Sequence, residues 1–336
     1  MKGGTDTYFT AMNRIACQYL GLELDSPVVF GSSGFTATAG HIREAERAGA
    51  GAVVLKSIFE EQILGRVQCL NGYNDYPEAA DYLNRYVAEH DLEVYLDMIR
   101  AVRRECALPV IASICCRQAG PWADFARRIE KAGADAIELN VFLLPADGET
   151  SSAAVERRYL DIVERVRDAV SLPLSVKLGQ GLTDPLGLVR EIAYRKVQGV
   201  VLFNRFYPVD IDIEHMTFRA GDIFSRSAEL SNVLRWTALV DAHVPQIDLA
   251  ASTGVHTGED VVKALLAGAS AVQVASVLYE KGPAAVTAMN AFLNQWMERR
   301  GFDAVARFAG RMNARRIVDP ELYERTQFMK YFSEHE

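Results

Sequence analysis

Residues 247–282, IDLAASTGVHTGEDVVKALLAGASAVQVASVLYEKG, contain two short apolar strands, each followed by a helical pattern. The first helix is predicted to open at Thr257, because Asp260 follows at the spacing of a helix N-terminal cap. Gly268 suits the end of that helix, where glycine takes a left-handed conformation at low cost. This stretch therefore predicts two consecutive strand–helix units of a β/α fold.

Small and hydroxyl residues end both strands of this stretch. The first strand ends in Ser252-Thr253-Gly254 and the second in Ala275-Ser276. Such ends leave space and backbone N–H groups for a phosphate, and in an eightfold β/α barrel the phosphate site commonly follows strands seven and eight. Tight turns selected for backbone geometry account for the same residues equally well, so two interpretations stand at this point.

The composition indicates a globular chain without a nucleic-acid partner. The 336 residues are 49% hydrophobic, which suffices for a substantial core. A formal net charge of −8 without a run of Lys and Arg argues against nucleic-acid binding. No apolar run is long enough for a membrane span, so we expect no membrane partner and a cytoplasmic location. Reduced thiols are expected there, since the cysteines are odd in number and lack CxxC spacing. The five are Cys17, Cys69, Cys106, Cys115 and Cys116.

Eight short apolar runs, separated mostly by helical patterns, predict a closed parallel barrel, the (β/α)8 or TIM fold. They are residues 27–31, 52–56, 109–114, 136–140, 174–177, 199–203, 246–250 and 271–274. A repeated pattern of helix end, glycine and strand supports this prediction at residues 47–56, 131–140 and 266–275. Residues 1–18 have neither a basic nor an apolar segment, so we expect an N-terminal extension followed by one domain over residues 19–336.

Two intervals, residues 58–91 and 204–228, are too long for simple connections. Both follow the carboxyl ends of strands, so we expect insertions after strands two and six that cover a ligand. In the second, Asp210, Asp212 and Glu214 alternate with apolar residues. This alternation predicts a solvated hairpin rather than a metal site, and we expect no bound metal.

Polar residues or glycines end seven of the eight predicted strands. They are Gly31-Ser32-Ser33-Gly34, Lys56-Ser57, Asn140, Lys177, Asn204, Thr253-Gly254 and Ser276. Lys177 closes an apolar strand, and a desolvated cation suits a site where negative charge develops. Reduced flavin is one candidate for that charge, and a Schiff-base lyase in which the lysine is the nucleophile is the other. The spacing alone does not separate them.

Seven ordered segments resemble the class 1 dihydroorotate dehydrogenases, most closely the subgroup called dihydroorotate dehydrogenase-like. They are YLGLELDSPVVFGSSG, VVLKS, PVIASI, AIELNV, PLSVKL, VVLFN and ASTGVHTGEDVVKALLAGASAVQVAS. The resemblance covers residues 19–335 and implies an FMN-containing barrel. The residues that would surround the isoalloxazine and ribityl chain are Ser32, Ser33, Lys56, Ser57, Asn140, Lys177 and Asn204. The phosphate would lie against Thr253, Gly254, Ala275 and Ser276.

The substrate half of the family pattern is changed. The family continues from its strand-four asparagine as Asn-x-Ser-Cys-Pro-Asn, with the cysteine as general base, whereas this chain has Asn140-Val-Phe-Leu-Leu-Pro145. The family's substrate loop after strand two is replaced by Asn71-Gly-Tyr-Asn-Asp-Tyr-Pro77. The resemblance therefore implies a retained cofactor site and an altered substrate site.

The resemblance implies an FMN-dependent oxidoreductase that oxidises a CH–CH bond, as in pyrimidine biosynthesis. Its catalytic residues would be Lys56, Asn140, Lys177 and Asn204, and its partners a small-molecule substrate, a separate electron acceptor and a second copy in a homodimer. Two alternatives stand beside it. One is an FMN-binding protein inactive on dihydroorotate, and the other is a Schiff-base lyase acting on a phosphorylated substrate.

Overall fold

A computed structural model of the chain describes residues 13–59, 77–116, 122–141, 143–206 and 208–325. Eight parallel strands close into a barrel, which confirms the predicted fold. In chain order they are β3 (Val28–Phe30), β4 (Ala52–Val54), β6 (Val110–Cys116), β7 (Ala136–Val141), β8 (Leu174–Gly179), β9 (Gly199–Asn204), β12 (Asp248–Ser252) and β13 (Ala271–Val274). Each barrel strand pairs with the next along the chain, and pairing of β13 with β3 completes the ring.

Five further strands lie outside this ring or extend it. They are β1 (Cys17–Tyr19) and β2 (Leu22–Leu24), β5 (Ile58–Phe59), and β10 (Val209–Asp212) and β11 (Thr217–Ala220). The short β5 pairs with β6 beyond the end of β4, so it prolongs the second position of the barrel. The other four form two antiparallel hairpins.

Helices alternate with the barrel strands and cover their outer faces. They are α1 (Ala39–Arg47), α2 (Pro77–Glu105), α3 (Trp122–Ala132), α4 (Ser152–Arg167), α5 (Pro185–Tyr194), α6 (Leu230–His243), α7 (Gly258–Ala267), α8 (Ser276–Lys281), α9 (Ala284–Arg300) and α10 (Glu321–Glu324). The main core lies between these helices and the strands. Within the described ranges, no helix has the length and apolarity to cross a membrane.

A second, smaller core fills the amino-terminal end of the barrel. Tyr19, Leu20 and Leu24 of the β1–β2 hairpin pack there against side chains that point inward from the strands. Those side chains are Val29, Ala52, Val54, Ile111, Ala136, Val201, Ala250 and Ala271. Because side chains alternate across a strand, these positions identify which residues of each strand face the barrel interior.

The start of α7 agrees with the sequence. Thr257 caps the helix, accepting a hydrogen bond from the Asp260 backbone N–H while the Asp260 carboxylate accepts one from the Thr257 N–H. At the other end Gly268 has φ +121°, a conformation that L-residues with a Cβ rarely adopt. The reciprocal bonds fix the direction in which the chain leaves β12 and returns to β13.

Strand boundaries differ from the prediction where polar residues belong to a strand. Residue 177 was predicted to end its strand, but β8 continues to Gly179, which places Lys177 inside the ladder. The seventh barrel strand occupies Asp248–Ser252 rather than residues 246–250. Buried parallel strands lack the alternation of apolar and polar residues that would mark their ends in the sequence. Their ends are set instead by hydrogen bonding to the neighbouring strands.

The interval 204–228 contains the predicted hairpin, β10–β11. Its Asp210 carboxylate accepts a hydrogen bond from Arg219, and Asp212 accepts bonds from the backbone of Glu214 and His215. The side chains of Asp210 and Asp212 are half-buried, whereas Val209, Ile211 and Phe218 on the other face are exposed. Among the described residues, no group of His, Cys, Asp and Glu could hold a metal. Residues 60–76 of the other long interval lie outside the described residues.

Candidate active site

Three adjacent strands bring together polar side chains at the open end of the barrel. Cys115 pairs in register with Asn140, and Asn140 with Lys177, and paired residues of parallel strands face the same side. All three residues are partly exposed, whereas Ser113, Glu138 and Ser175, two positions earlier, are fully buried. The row of Cys115, Asn140 and Lys177 therefore forms the floor of a candidate site at the carboxyl ends of the strands.

Lys177 is held by a buried polar chain beneath this floor. Its Nζ donates to Oε1 of Gln273 at 3.0 Å, and Nε2 of Gln273 donates to Oε2 of Glu138 at 2.6 Å. Burial lowers the pKa of Lys177 and the charge of Glu138 opposes that change. Burial likewise raises the pKa of Glu138, against the opposing effect of Lys177. The cation and the carboxyl group are thus linked through one amide.

The two predicted asparagines are in direct contact. Nδ2 of Asn204 donates to Oδ1 of Asn140 at 2.8 Å. This bond leaves the Asn140 Nδ2 as a donor and the Asn204 Oδ1 as an acceptor for other groups, because each amide carries both functions. Such a pair offers one donor and one acceptor beside the Lys177 cation.

The first two strand ends are joined by hydroxyl groups. Ser32 Oγ accepts from the Ser57 backbone N–H at 2.8 Å and lies 3.0 Å from Ser57 Oγ. Ser57 Oγ lies 2.8 Å from Ser113 Oγ. By contrast, the Ser33 hydroxyl accepts from the Phe35 N–H and caps a 3-10 turn, and the Lys56 side chain is exposed at the rim. The structure thus brings Ser32 and Ser57 together, while Ser33 shapes the adjoining loop.

The predicted phosphate end lies where β12 and β13 finish. Ser276 Oγ accepts hydrogen bonds from the backbone N–H and the hydroxyl of Ser225, at 3.0 and 3.1 Å. Thr253 directs its hydroxyl to the Phe203 carbonyl at 3.0 Å and has φ +85°. Ser276 therefore adjoins Ser225 at the end of the second insertion, whereas the Thr253 side chain fixes the loop backbone.

A histidine adjoins the same end of the site. Nε2 of His256 lies 3.0 Å from Ser225 Oγ, and Nδ1 lies 3.1 Å from Glu280 Oε2. Only 9% of the imidazole is exposed. The carboxylate on one nitrogen fixes the ring orientation, so the other nitrogen faces the hydroxyls of Ser225 and, beyond it, Ser276.

Gly254 permits a close approach that any side chain would prevent. It has φ +82°, and a Cβ there would lie 2.4 Å from the Leu230 backbone nitrogen at the start of α6. We expect Gly254→Ala to lower the free energy of unfolding by about 2–5 kcal/mol, from backbone strain and overpacking together. Chemical denaturation with a fluorescence readout measures this loss.

Gly301→Ala is the matched control for that substitution. Gly301 is left-handed, with φ +71° and ψ +28°, and has no atom within 4 Å of its added Cβ, so only the backbone cost of about 1–2 kcal/mol applies. Equal losses in the two variants would contradict a steric role for Gly254.

Apolar side chains follow Asn140 at the position of the family's general base. Val141 is buried, Leu143 packs against the core, and Leu144 is 67% exposed; Phe142 lies outside the described residues. The Tyr159 hydroxyl lies against the backbone of Leu143 and Gly179, and burial raises its pKa. Val141, Leu143 and Leu144 therefore present no group that could accept a substrate proton at the position of the family's base.

Sequence reasoning missed the residues beneath the floor. Glu138 and Gln273 interrupt the apolar runs AIELN and AVQV, and polar residues within buried strands are the signal that could have indicated them. Ser113 was missed in the same way, and Ser225 lies in an insertion without a pattern. Each bonds to a predicted site residue or to its partner.

Comparison with known proteins agrees with this geometry. A family model described as dihydroorotate dehydrogenase matches residues 14–297. The catalytic subunit of dihydroorotate dehydrogenase B (NAD(+)) from Thermoplasma acidophilum is 25% identical over 309 residues, covering 89% of this chain and 99% of the relative. Its namesakes from Methanocaldococcus jannaschii, 28% identical with coverage of 78% and 86%, and Methanosarcina acetivorans, 27% identical with coverage of 86% and 93%, are similar. The chain therefore belongs to the dihydroorotate dehydrogenase family and is an oxidoreductase of that flavin-dependent type.

Proposed function

We propose that the chain binds FMN at the carboxyl ends of the barrel strands and uses it to oxidise a CH–CH bond of a small molecule. The observation that carries this proposal is the partly exposed row containing Asn140 and Lys177 above a fully buried polar layer. It supplies a cation and paired amides on one floor, as the flavin ring edge requires. Bound FMN would accept a hydride, and the residues around it would orient it and balance its charge.

The donor set fits the two ends of this cofactor. Lys177 would face the ring edge on which negative charge develops, with Asn140 and Asn204 supplying an amide donor and acceptor. Ser32 and Ser57 would line the ring and ribityl side. The phosphate would lie by the small residues at the ends of β12 and β13, namely Thr253, Gly254, Ala275 and Ser276.

The surroundings of Lys177 argue against the lyase alternative. A Schiff-base lysine must lose its proton to become a nucleophile, and burial lowers the pKa of Lys177 in that direction. Against this, the Lys177 Nζ donates to an amide oxygen, and the charge of Glu138 opposes the lowering. Both features stabilise the charged ammonium. They favour an electrostatic role for Lys177 beside a cofactor.

The proposed substrate is a small molecule, and the proposed electron acceptor is a separate molecule. The apolar loop after Asn140 favours a substrate other than dihydroorotate, or binding of FMN without dihydroorotate turnover. The similar archaeal proteins are named NAD(+)-type catalytic subunits, and we propose that here too a separate acceptor reoxidises the flavin. Cytoplasmic location and a homodimer remain predictions, the latter testable by light scattering of the purified chain.

We expect the protein to purify with non-covalent FMN near one per chain, because the polar set at the strand ends is continuous. Absorbance of the native protein, followed by release of the chromophore with denaturant and its chromatography against FMN and riboflavin, measures the content and identity. A colourless protein that also fails to take up added FMN would overturn the proposed function. A lyase would give that colourless result.

A further inference from the structure

A second layer of the site lies below the floor and contains the Glu138 carboxyl group. Glu138 is fully buried and is linked to Lys177 by hydrogen bonds through Gln273, with a 2.6 Å bond on the carboxyl side. Because Gln273 is itself 2% exposed, its amide has no solvent to turn toward, and its orientation is set by the two groups it joins.

The other groups that face Glu138 do not supply a positive charge. Tyr19 and Tyr95 have hydroxyls near it, and their pKa values are raised by burial first and by the charge of Glu138 in addition. Tyr19 has two further polar neighbours: Ser175, which is fully buried, and Asp248, whose negative charge also raises the pKa of Tyr19. Within the described residues, Lys177 is the cation whose charge acts on Glu138.

The ammonium group of a lysine in this position has a lowered pKa unless an anion lies nearby. Desolvation favours the neutral amine, and here burial is the largest influence on the pKa of Lys177, with Glu138 as the opposing one. When no anion is bound at the floor, the negative charge of Glu138 is what compensates the positive charge of Lys177. The Gln273 carbonyl adds an acceptor that favours the charged form.

We propose that Glu138 is a positioning residue that keeps Lys177 charged and directed at the floor of the site, acting through the Gln273 amide. The site then presents a fixed cation before any ligand arrives, which avoids the cost of charging the lysine during the reaction. The usefulness of that cation to a flavin rests on the proposed function. The charge state of Lys177 itself does not, and it can be measured without a flavin.

The experiment is a titration of Lys177 by NMR in the full chain. The protein has eight lysines, so selective [ε-13C]lysine labelling gives a short set of signals, and the one lost in Lys177→Met is assigned to Lys177. Spectra are recorded from neutral to alkaline pH after any bound flavin is removed. We expect Lys177 to be charged at neutral pH, and its titration midpoint to fall by at least about one pH unit in Glu138→Gln.

Two controls separate charge from packing. Glu138→Asp keeps the carboxylate and should retain a midpoint nearer the wild-type value than that of Glu138→Gln. Tyr19→Phe removes a hydroxyl that faces Glu138 without removing a charge, so the Lys177 midpoint should stay where it is. If Glu138→Gln does not fold, Gln273→Met interrupts the same chain with a side chain of similar length, and the midpoint should again fall.

Two results would overturn the proposal. One is a neutral Lys177 at neutral pH in the wild-type protein, and the other is an unchanged midpoint in Glu138→Gln, or in Gln273→Met where that variant replaces it. Failure of the protein to take up FMN would instead overturn the proposed function and leave the titration result valid. The two failures are therefore distinguishable.

Discussion

Mixed anaerobically with dihydroorotate, the FMN-loaded protein is expected to bleach at least about 100-fold more slowly than a relative with the family's cysteine base, since a positioned general base contributes about 10²–10⁴-fold. Val141 is buried and Leu143 and Leu144 carry no proton acceptor. The measurement is the decay of flavin absorbance in a stopped-flow instrument, with dithionite reduction as a control that the flavin is reducible.

Restoring a thiol at one position should recover little of this rate. Leu143 packs against the core and Leu144 is 67% exposed, so Leu143→Cys and Leu144→Cys place sulfur in different surroundings. Neither changes the loop at 71–77, where the family's substrate-binding pattern is replaced. We expect both variants to stay within about tenfold of the unmodified protein, below the about 10²–10⁴-fold that a correctly positioned base contributes.

Rapid bleaching by dihydroorotate in the unmodified protein would refute the loss of the parent substrate. Cys115 would then be the first residue to test, because it lies beside Asn140 in register and is partly exposed on the same floor. Cys115→Ser keeps the size of the side chain while it weakens the base. A large fall in the bleaching rate in that variant would identify the replacement.

Lys177→Met is expected to have the second large effect, on both ligand binding and stability. Loss of a hydrogen bond from a charged group costs about 1.5–3 kcal/mol, so FMN affinity should fall about 10- to 100-fold. Loss of the cation leaves the fully buried Glu138 carboxyl group, to which Lys177 is linked through Gln273, without a compensating charge. The cost in unfolding free energy should reach at most the about 3–5 kcal/mol that breaking a directly bonded buried pair costs. Fluorescence titration with FMN and denaturant unfolding of the ligand-free chain measure the two losses separately.

The double variant Lys177→Met, Glu138→Gln distinguishes these two effects. Removal of the carboxylate relieves the unpaired charge, so stability should recover toward the wild-type value, while FMN affinity should stay low because the cation is still missing. Recovery of neither property would argue that Lys177 and Glu138 do not compensate one another. Unchanged FMN affinity in the single variant would argue against Lys177 as a ligand of the flavin.

Much of the fold could be predicted from the sequence because it depends on local interactions. The strand at 271–274 was predicted to the residue, and the cap of Thr257 with Asp260 formed as expected. Caps and glycine turns involve residues a few positions apart, so they can be predicted from neighbouring residues in the sequence. The eightfold order of strands followed because each buried run is short and apolar, and most of the runs are separated by a helical pattern.

Side-chain partners distant in sequence were decided by the tertiary structure alone. Gln273 bonds to Glu138 from 135 positions away and to Lys177 from 96 positions away, and no spacing rule connects them. The sequence by itself determined the barrel, the polar strand ends and the family resemblance, because these depend on patterns within single strand–helix units. Only closure of the barrel decided which polar groups meet inside it. Closure sets the register between β13, β8 and β7. Because of this register, a carboxylate from another strand compensates the charge of Lys177.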